Sequence, residues 1–169
     1  MIKIPAKPIS YSSAKRDKRD VKYIVIHYTG VKGDTARNEG IYFASGNTRQ
    51  AGAHFFIDRK GEIVKSVNLN RTAWSVGGDK YPSCAKTGGG KYYKIVTNYD
   101  SVSIELCDIV DKYPSEKQIQ AVKKCIKYIR KYCKNAKTIV RHFDVNGKAC
   151  PASMTDSKTW NKFLGDIKC

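Results

Sequence analysis

The spacing of apolar and polar positions predicts strands alternating with helices. Val21-Lys22-Tyr23-Ile24-Val25-Ile26-His27-Tyr28 is rich in β-branched and aromatic residues and reads as a strand, broken by Thr29-Gly30. Asp34 or Thr35 can cap a helix running to about Ala44, where Ser45-Gly46-Asn47 stops it. Ala53-His54-Phe55-Phe56-Ile57 predicts a second strand, Asp58-Arg59-Lys60-Gly61 a tight turn, and residues 62–67 the returning partner of a hairpin. Residues 101–107 alternate strictly, with Val102, Ile104 and Leu106 on one face and Ser103, Glu105 and Cys107 on the other. Ser115-x-x-Gln118 is a capping-box signature. It opens a helix whose apolar positions Ile119, Val122, Ile126, Ile129 and Cys133 recur at three and four, with Lys and Arg on the outer face. Thr138-Ile139-Val140 is a short strand that leads to His142, and Asp156 caps a last helix through Trp160, Phe163 and Leu164. The alternation implies an α/β fold with a central mixed sheet flanked by helices.

Two segments fall outside this pattern. Residues 1–20 are polar, basic and aperiodic, and are expected to form an arm that packs loosely or wraps the single domain of residues 21–169. Residues 77–98 hold five of the 13 glycines and predict a long loop, of the kind that often serves as a lid or binding surface.

Length and charge narrow the class. A chain of 169 residues can bury one real core but not comfortably two. No apolar run approaches the ~20 residues of a membrane span. The first residues, Met1-Ile2-Lys3-Ile4-Pro5, lack the apolar stretch of a classical signal peptide, so delivery outside the cytoplasm would need another route. The net charge of +17 suits a polyanionic partner: nucleic acid, anionic membrane or anionic cell wall. No helix-turn-helix, zinc-finger or RNA-binding motif accompanies it, which leaves nucleic acid the least supported. A monomer is the default expectation. Six cysteines are spread without a CxxC pair. Cys107, Cys125 and Cys133 lie in strand or helix patterns and read as small buried hydrophobes, whereas Cys84 and Cys169 read as peripheral free thiols.

The candidate chemistry lies in three residues. His27 ends a strand, His142 follows another, and Cys150 comes eight residues later, across a loop containing Asn146-Gly147. Two imidazoles and a thiolate leave the fourth position of tetrahedral zinc open for water, the arrangement of a hydrolytic site. Spacing alone leaves a second reading open, in which a strand-end His is merely hydrogen-bonded and a Cys before Pro merely buried.

Ile24-Val25-Ile26-His27-Tyr28-Thr29-Gly30, Ala53-His54-Phe55-Phe56-Ile57-Asp58 and Arg141-His142-Phe143-Asp144-Val145-Asn146-Gly147-Lys148-Ala149-Cys150-Pro151 together resemble the zinc-dependent N-acetylmuramoyl-L-alanine amidase family. This is the family of many phage endolysins and bacterial autolysins, related to the peptidoglycan recognition proteins. The resemblance runs in order from about residue 21 to 165. It implies one zinc ion on His27, His142 and Cys150, with Lys148 stabilising an oxyanion. Some members use as base a Tyr just before the His of the second strand, but that position is Ala53 here. Others use a Glu in a strand like Ser101-Val102-Ser103-Ile104-Glu105-Leu106-Cys107, which implies Glu105 as the base. Trp74 falls where the family lines its substrate groove, with Ser75 where many relatives carry a His. His54 is assigned a structural or substrate-side role. The implied function is hydrolysis of the amide between N-acetylmuramic acid and L-alanine in peptidoglycan, by a phage or prophage product released through a holin. A non-catalytic peptidoglycan-binding module of the same fold is the alternative.

Overall fold

In the computed structural model, which describes residues 1–168, the apolar run ending in His27 forms a strand inside a six-stranded sheet. In chain order the elements are β1 (Ile2–Lys3), β2 (Tyr11–Lys15), β3 (Tyr23–Tyr28), α1 (Ala36–Ile41), β4 (Phe55–Ile57), β5 (Ile63–Lys65), β6 (Arg71–Ala73), α2 (Cys84–Thr87), β7 (Ser101–Leu106), α3 (Glu116–Tyr132), β8 (Thr138–Arg141), α4 (His142–Asn146) and α5 (Ser157–Asp166). The sheet order is β1-β5-β4-β7-β3-β8. Only the β4–β5 hairpin is antiparallel, so the sheet is mixed as expected.

The alternation in β7 sorts two cores. Val102, Ile104 and Leu106 pack with Ile119, Val122, Ile126 and Ile129 of α3 and with Trp160 and Phe163 of α5. On the opposite face Phe56, Val64 and Cys107 pack with Ala36 at the start of α1. Thr35 is the cap of α1, its side chain accepting from the Asn38 amide, and the helix runs on into a wider turn over Tyr42–Gly46. Ser115 caps α3 by accepting from the Gln118 amide at 3.1 Å. The Gln118 side chain does not complete the box: its Nε2 donates to the carbonyls of Ile57 and Cys107 at 2.9 and 3.0 Å. The Cys107 carbonyl beyond β7 needs a donor, whereas the Ile57 carbonyl also accepts the Cys107 amide, and that need outweighs a reciprocal cap.

The arm wraps the domain rather than packing loosely. β1 adds to the sheet edge beside β5, and β2 pairs with β6. Arg16 is buried, and its guanidinium donates to the carbonyls of Leu69, Asn98, Tyr99 and Ser101. Cys107, Cys125 and Cys133 are buried as expected. Cys84 is not peripheral: it is buried where the 77–98 segment folds onto α4, and its thiol donates to the Asn146 carbonyl at 3.4 Å. Cys169 lies outside the described residues. Among the described residues no helix is long and apolar enough to cross a membrane.

Candidate metal centre

Parallel pairing gathers the candidate residues at one end of the sheet. In β3 and β7 His27 is the direct partner of Glu105, and in β3 and β8 Ile26 partners Arg141. His142 therefore follows at the level of His27, at the C-terminal ends of parallel strands, where α/β sheets build their sites.

The turn that carries His142 is fixed by charge. Arg141 and Asp144 form a buried pair: Arg141 Nε donates to Asp144 Oδ2 at 3.0 Å and Nη2 to Oδ1 at 2.6 Å. Arg141 Nη1 also donates to the Met154 and Thr155 carbonyls, and its guanidinium lies 5.2 Å over the Trp160 ring. Asp144 Oδ2 in turn accepts the Arg141 backbone N–H. Gly147 ends α4 with φ of +88°, a left-handed conformation that costs glycine little. The chain then doubles back, and the Phe143 amide donates to the Cys150 carbonyl at 2.8 Å. The expected loop between His142 and Cys150 is thus a helical turn plus a return.

The result brings His27, His142 and Cys150 together, with one ligating atom from each all within 4.8 Å of one another. They are 2%, 5% and 2% exposed. Cys150 Sγ lies 3.8 Å from His27 Nδ1, and the two imidazole centroids are 4.6 Å apart. His27 Nε2 and both ring nitrogens of His142 are buried without a hydrogen-bond partner. Buried polar atoms are rarely left so, and three orphaned imidazole nitrogens beside a thiol are donors that fit a metal ion.

The electrostatics favour neutral imidazoles. Burial first, then neighbouring His142 and Lys148, holds His27 well below the ordinary histidine range. Burial and then Lys148 lower His142 to about 4. Burial and then Glu105 push the Cys150 thiol up, against the pull of Lys148, and a neighbouring cation would favour its thiolate. Glu105 Oε1 is 3.9 Å from His27 Nδ1, beyond hydrogen-bond range, and its Oε2 is an orphan. Burial raises Glu105 to about 7, with Lys148 opposing.

These groups form the end of a cleft of about 370 Å³. Lys148 lines it, as do Glu39, Phe43, Arg49 and Trp74. Trp74 is half-buried and lines the cleft. The structure does not bring His54 there. It is 0% exposed: Nδ1 accepts from the Ser103 amide at 3.1 Å, and Nε2 lies 3.1 Å from the Arg71 carbonyl and 3.0 Å from Arg16. A ring enclosed on both edges has no atom left for a substrate, so only the structural half of its assignment stands. Sequence reasoning also passed over Arg141, Asp144, Glu39 and Arg49. The spacing Arg141-x-x-Asp144 around His142 was the one signal available; Glu39 and Arg49 gave none. A larger hollow of about 700 Å³ along Arg37, Glu62 and Lys124 contains no His or Cys and lies away from this chemistry.

Known proteins share both sequence and fold with this chain. The chain is 31% identical over 149 residues to the N-acetylmuramoyl-L-alanine amidase CwlL of Bacillus licheniformis, a match covering 85% of this chain and 39% of that protein. It is 25% identical over 174 residues to the amidase XlyB of Bacillus subtilis, covering 98% of this chain and 49% of that one. The chain thus spans half or less of the length of these relatives. The structure of PlyL superposes with a TM-score of 0.72 at 22% identity, over 100% of this chain and 97% of that one. The catalytic domain of XlyA superposes with 0.71 at 24% identity, over 99% and 98%. A model of the family described as N-acetylmuramoyl-L-alanine amidase matches residues 17–153, and on that match the chain belongs to this family.

Proposed function

We propose that this chain hydrolyses the amide between the lactyl group of N-acetylmuramic acid and L-alanine in peptidoglycan, using one zinc ion held by His27, His142 and Cys150. The observation that carries the reading is the buried His-His-Cys cluster with Glu105 3.9 Å from one ligand, in a chain of this family. The amidases CwlL and XlyB carry that activity in their names.

Zinc in such a site supplies Lewis acidity toward the scissile carbonyl and lowers the pKa of water. Glu105 is the general base. Its carboxyl, raised to about 7 by burial, can take a proton from the attacking water and return it to the departing amine at neutral pH. Lys148 lines the cleft beside His142, and its side chain would stabilise the tetrahedral oxyanion. Trp74 contributes an aromatic wall to the substrate cleft. Residues from 21 onward form the catalytic domain, with residues 1–20 strapped across it. The positive face of α3 adds affinity for an anionic wall, where the enzyme acts after release from a host cytoplasm.

Mass spectrometry of digested peptidoglycan, with and without a chelator, tests this. Stem peptides with a new L-alanine amino terminus, abolished by chelation, are expected. New reducing sugar ends would make the protein a glycosidase, and binding without release would make it the non-catalytic module.

A further inference from the structure

Lys148 is exposed, and among the described residues its ammonium meets no carboxylate and no hydrogen-bond acceptor. Its charge is nonetheless felt at His27, His142 and Glu105. A lysine stem has several rotatable bonds. With no partner at its tip, the region its charge can reach is set by where the backbone holds its Cα. The preceding residue adds no stiffness, because Gly147 sits at φ of +88° and glycine is the least restricted of residues.

Two hydrogen bonds hold the Lys148 backbone instead. Its carbonyl accepts the Cys150 amide at 2.7 Å. Its own N–H donates to Asn146 Oδ1 at 3.0 Å. The second bond spans Gly147 and closes it into a turn made by the asparagine side chain.

Asn146 is itself fixed. It is 4% exposed and is the last residue of α4, four positions after His142 on the same face. Its Nδ2 donates to the Gly77 carbonyl at 3.2 Å. Only one orientation of the carboxamide satisfies both neighbours: the Gly77 carbonyl requires the NH₂ group, and the Lys148 amide requires the oxygen. The Asn146 carbonyl accepts the Tyr81 amide at 2.8 Å and the Cys84 thiol at 3.4 Å. Held at side chain and backbone, Asn146 ties the Lys148 backbone to the helical turn that carries His142.

We infer that Asn146 is a positioning residue, which holds Lys148 at the metal centre through its carboxamide oxygen. This rests on the amidase reading above, in which Lys148 stabilises the oxyanion. Amide hydrogen exchange followed by NMR on the unmodified protein reads the bond without catalysis. Lys148 and Ala149 are both exposed, and the Ala149 amide has no acceptor among the described residues. The Lys148 amide should exchange about tenfold more slowly than that of Ala149, and equal rates would overturn the inference whatever the activity. Kinetics on a soluble N-acetylmuramoyl peptide read the consequence. Asn146→Ala should lower kcat by about tenfold, with KM and zinc content unchanged. In a Lys148→Ala protein, itself slower by about 10²-fold, the same change should cost nothing further. Asn146→Ser keeps an acceptor for the Lys148 amide while giving up the carboxamide donor to Gly77, and should recover most of the rate. Loss of zinc from Asn146→Ala, an equal loss of rate in both backgrounds, or a serine variant as slow as the alanine one overturns positioning through Lys148 and leaves the amidase reading intact. No release of L-alanyl peptide by the unmodified protein overturns both.

Discussion

His27 and Glu105 are register partners on adjacent parallel strands, with Nδ1 and Oε1 3.9 Å apart. The pairing makes a proposed ligand and a carboxylate neighbours through the backbone ladder, not through flexible side chains. The gap is too long for a hydrogen bond and leaves the carboxylate free to act on something else. Glu105→Gln keeps the shape and removes the proposed base. It is expected to bind zinc normally, by metal analysis, and to lose about 10²- to 10⁴-fold in rate. Wall cleavage at the unmodified rate would remove Glu105 from the mechanism.

Cys150 behaves differently because it is a proposed ligand. Cys150→Ala takes away the one donor that becomes anionic, leaving two neutral imidazoles. Metal content and activity should fall together after dialysis against the same buffer. A variant that retains stoichiometric zinc would mean that the ligand set is wrong.

How much of this was legible in the sequence depends on how local the cause is. The strand ending at His27 and the helix from Glu116 declare themselves through β-branched content and three–four spacing. The short helix at His142–Asn146 does not, because its sequence favours no helix. It forms because Arg141 and Asp144 clamp it and Gly147 releases the chain. Residues 1–20 carry no periodicity, since β1 is two residues long and the β2–β6 register shifts. The burial of Cys84 depends on a fold-back onto Asn146, 62 positions away, and the enclosure of His54 on Arg16, Arg71 and Ser103. Such distant contacts leave no local pattern. The family resemblance supplied the proposed ligand set where spacing left two readings open.

The Arg141–Asp144 pair predicts a stability cost. Arg141→Ala would leave Asp144 buried without its partner and strip donors from the Met154 and Thr155 carbonyls. Loss of one member of a buried pair costs about 3–5 kcal/mol. Urea denaturation of the metal-free protein should show a drop of that order, and a shift below about 1 kcal/mol would contradict the clamp.

His54 makes a pH prediction. Burial, then the Arg16 guanidinium, lowers it from 6.5 to about 3. Below pH 6.5 the unfolded chain takes up a proton that the folded chain refuses until about 3. Its contribution to stability is therefore complete above 6.5 and is lost progressively as the pH falls toward 3. His54→Asn keeps an acceptor for the Ser103 amide but does not titrate. In chelator, the unmodified protein should lose more stability than this variant as the pH is lowered from neutral into the acid range. Equal losses would show that His54 is not the group responsible.

The outer face of α3 carries the last prediction. Lys117, Lys124, Lys127, Lys131 and the following Lys134 are exposed and recur at three, four and seven, which sets them in one stripe along the helix. The 17-residue helix is about 25 Å long at 1.5 Å per residue, so the stripe spans that distance. It lies on the far side of the sheet from the cleft, since α3 packs against Val102, Ile104 and Leu106 while α1 packs against Phe56 and Cys107. A polyanion held there does not obstruct the site. Changing Lys124, Lys127 and Lys131 to Gln should leave cleavage of a soluble muramoyl peptide as it was. On intact walls at low salt the rate should fall on the order of tenfold, because steering by charge is lost. Added salt should erase the difference, since screening at about 0.15 M shortens the reach of exposed charges to roughly 8 Å. A triple variant that cleaves walls as fast as the unmodified protein at low salt would assign the excess charge of +17 to other surfaces.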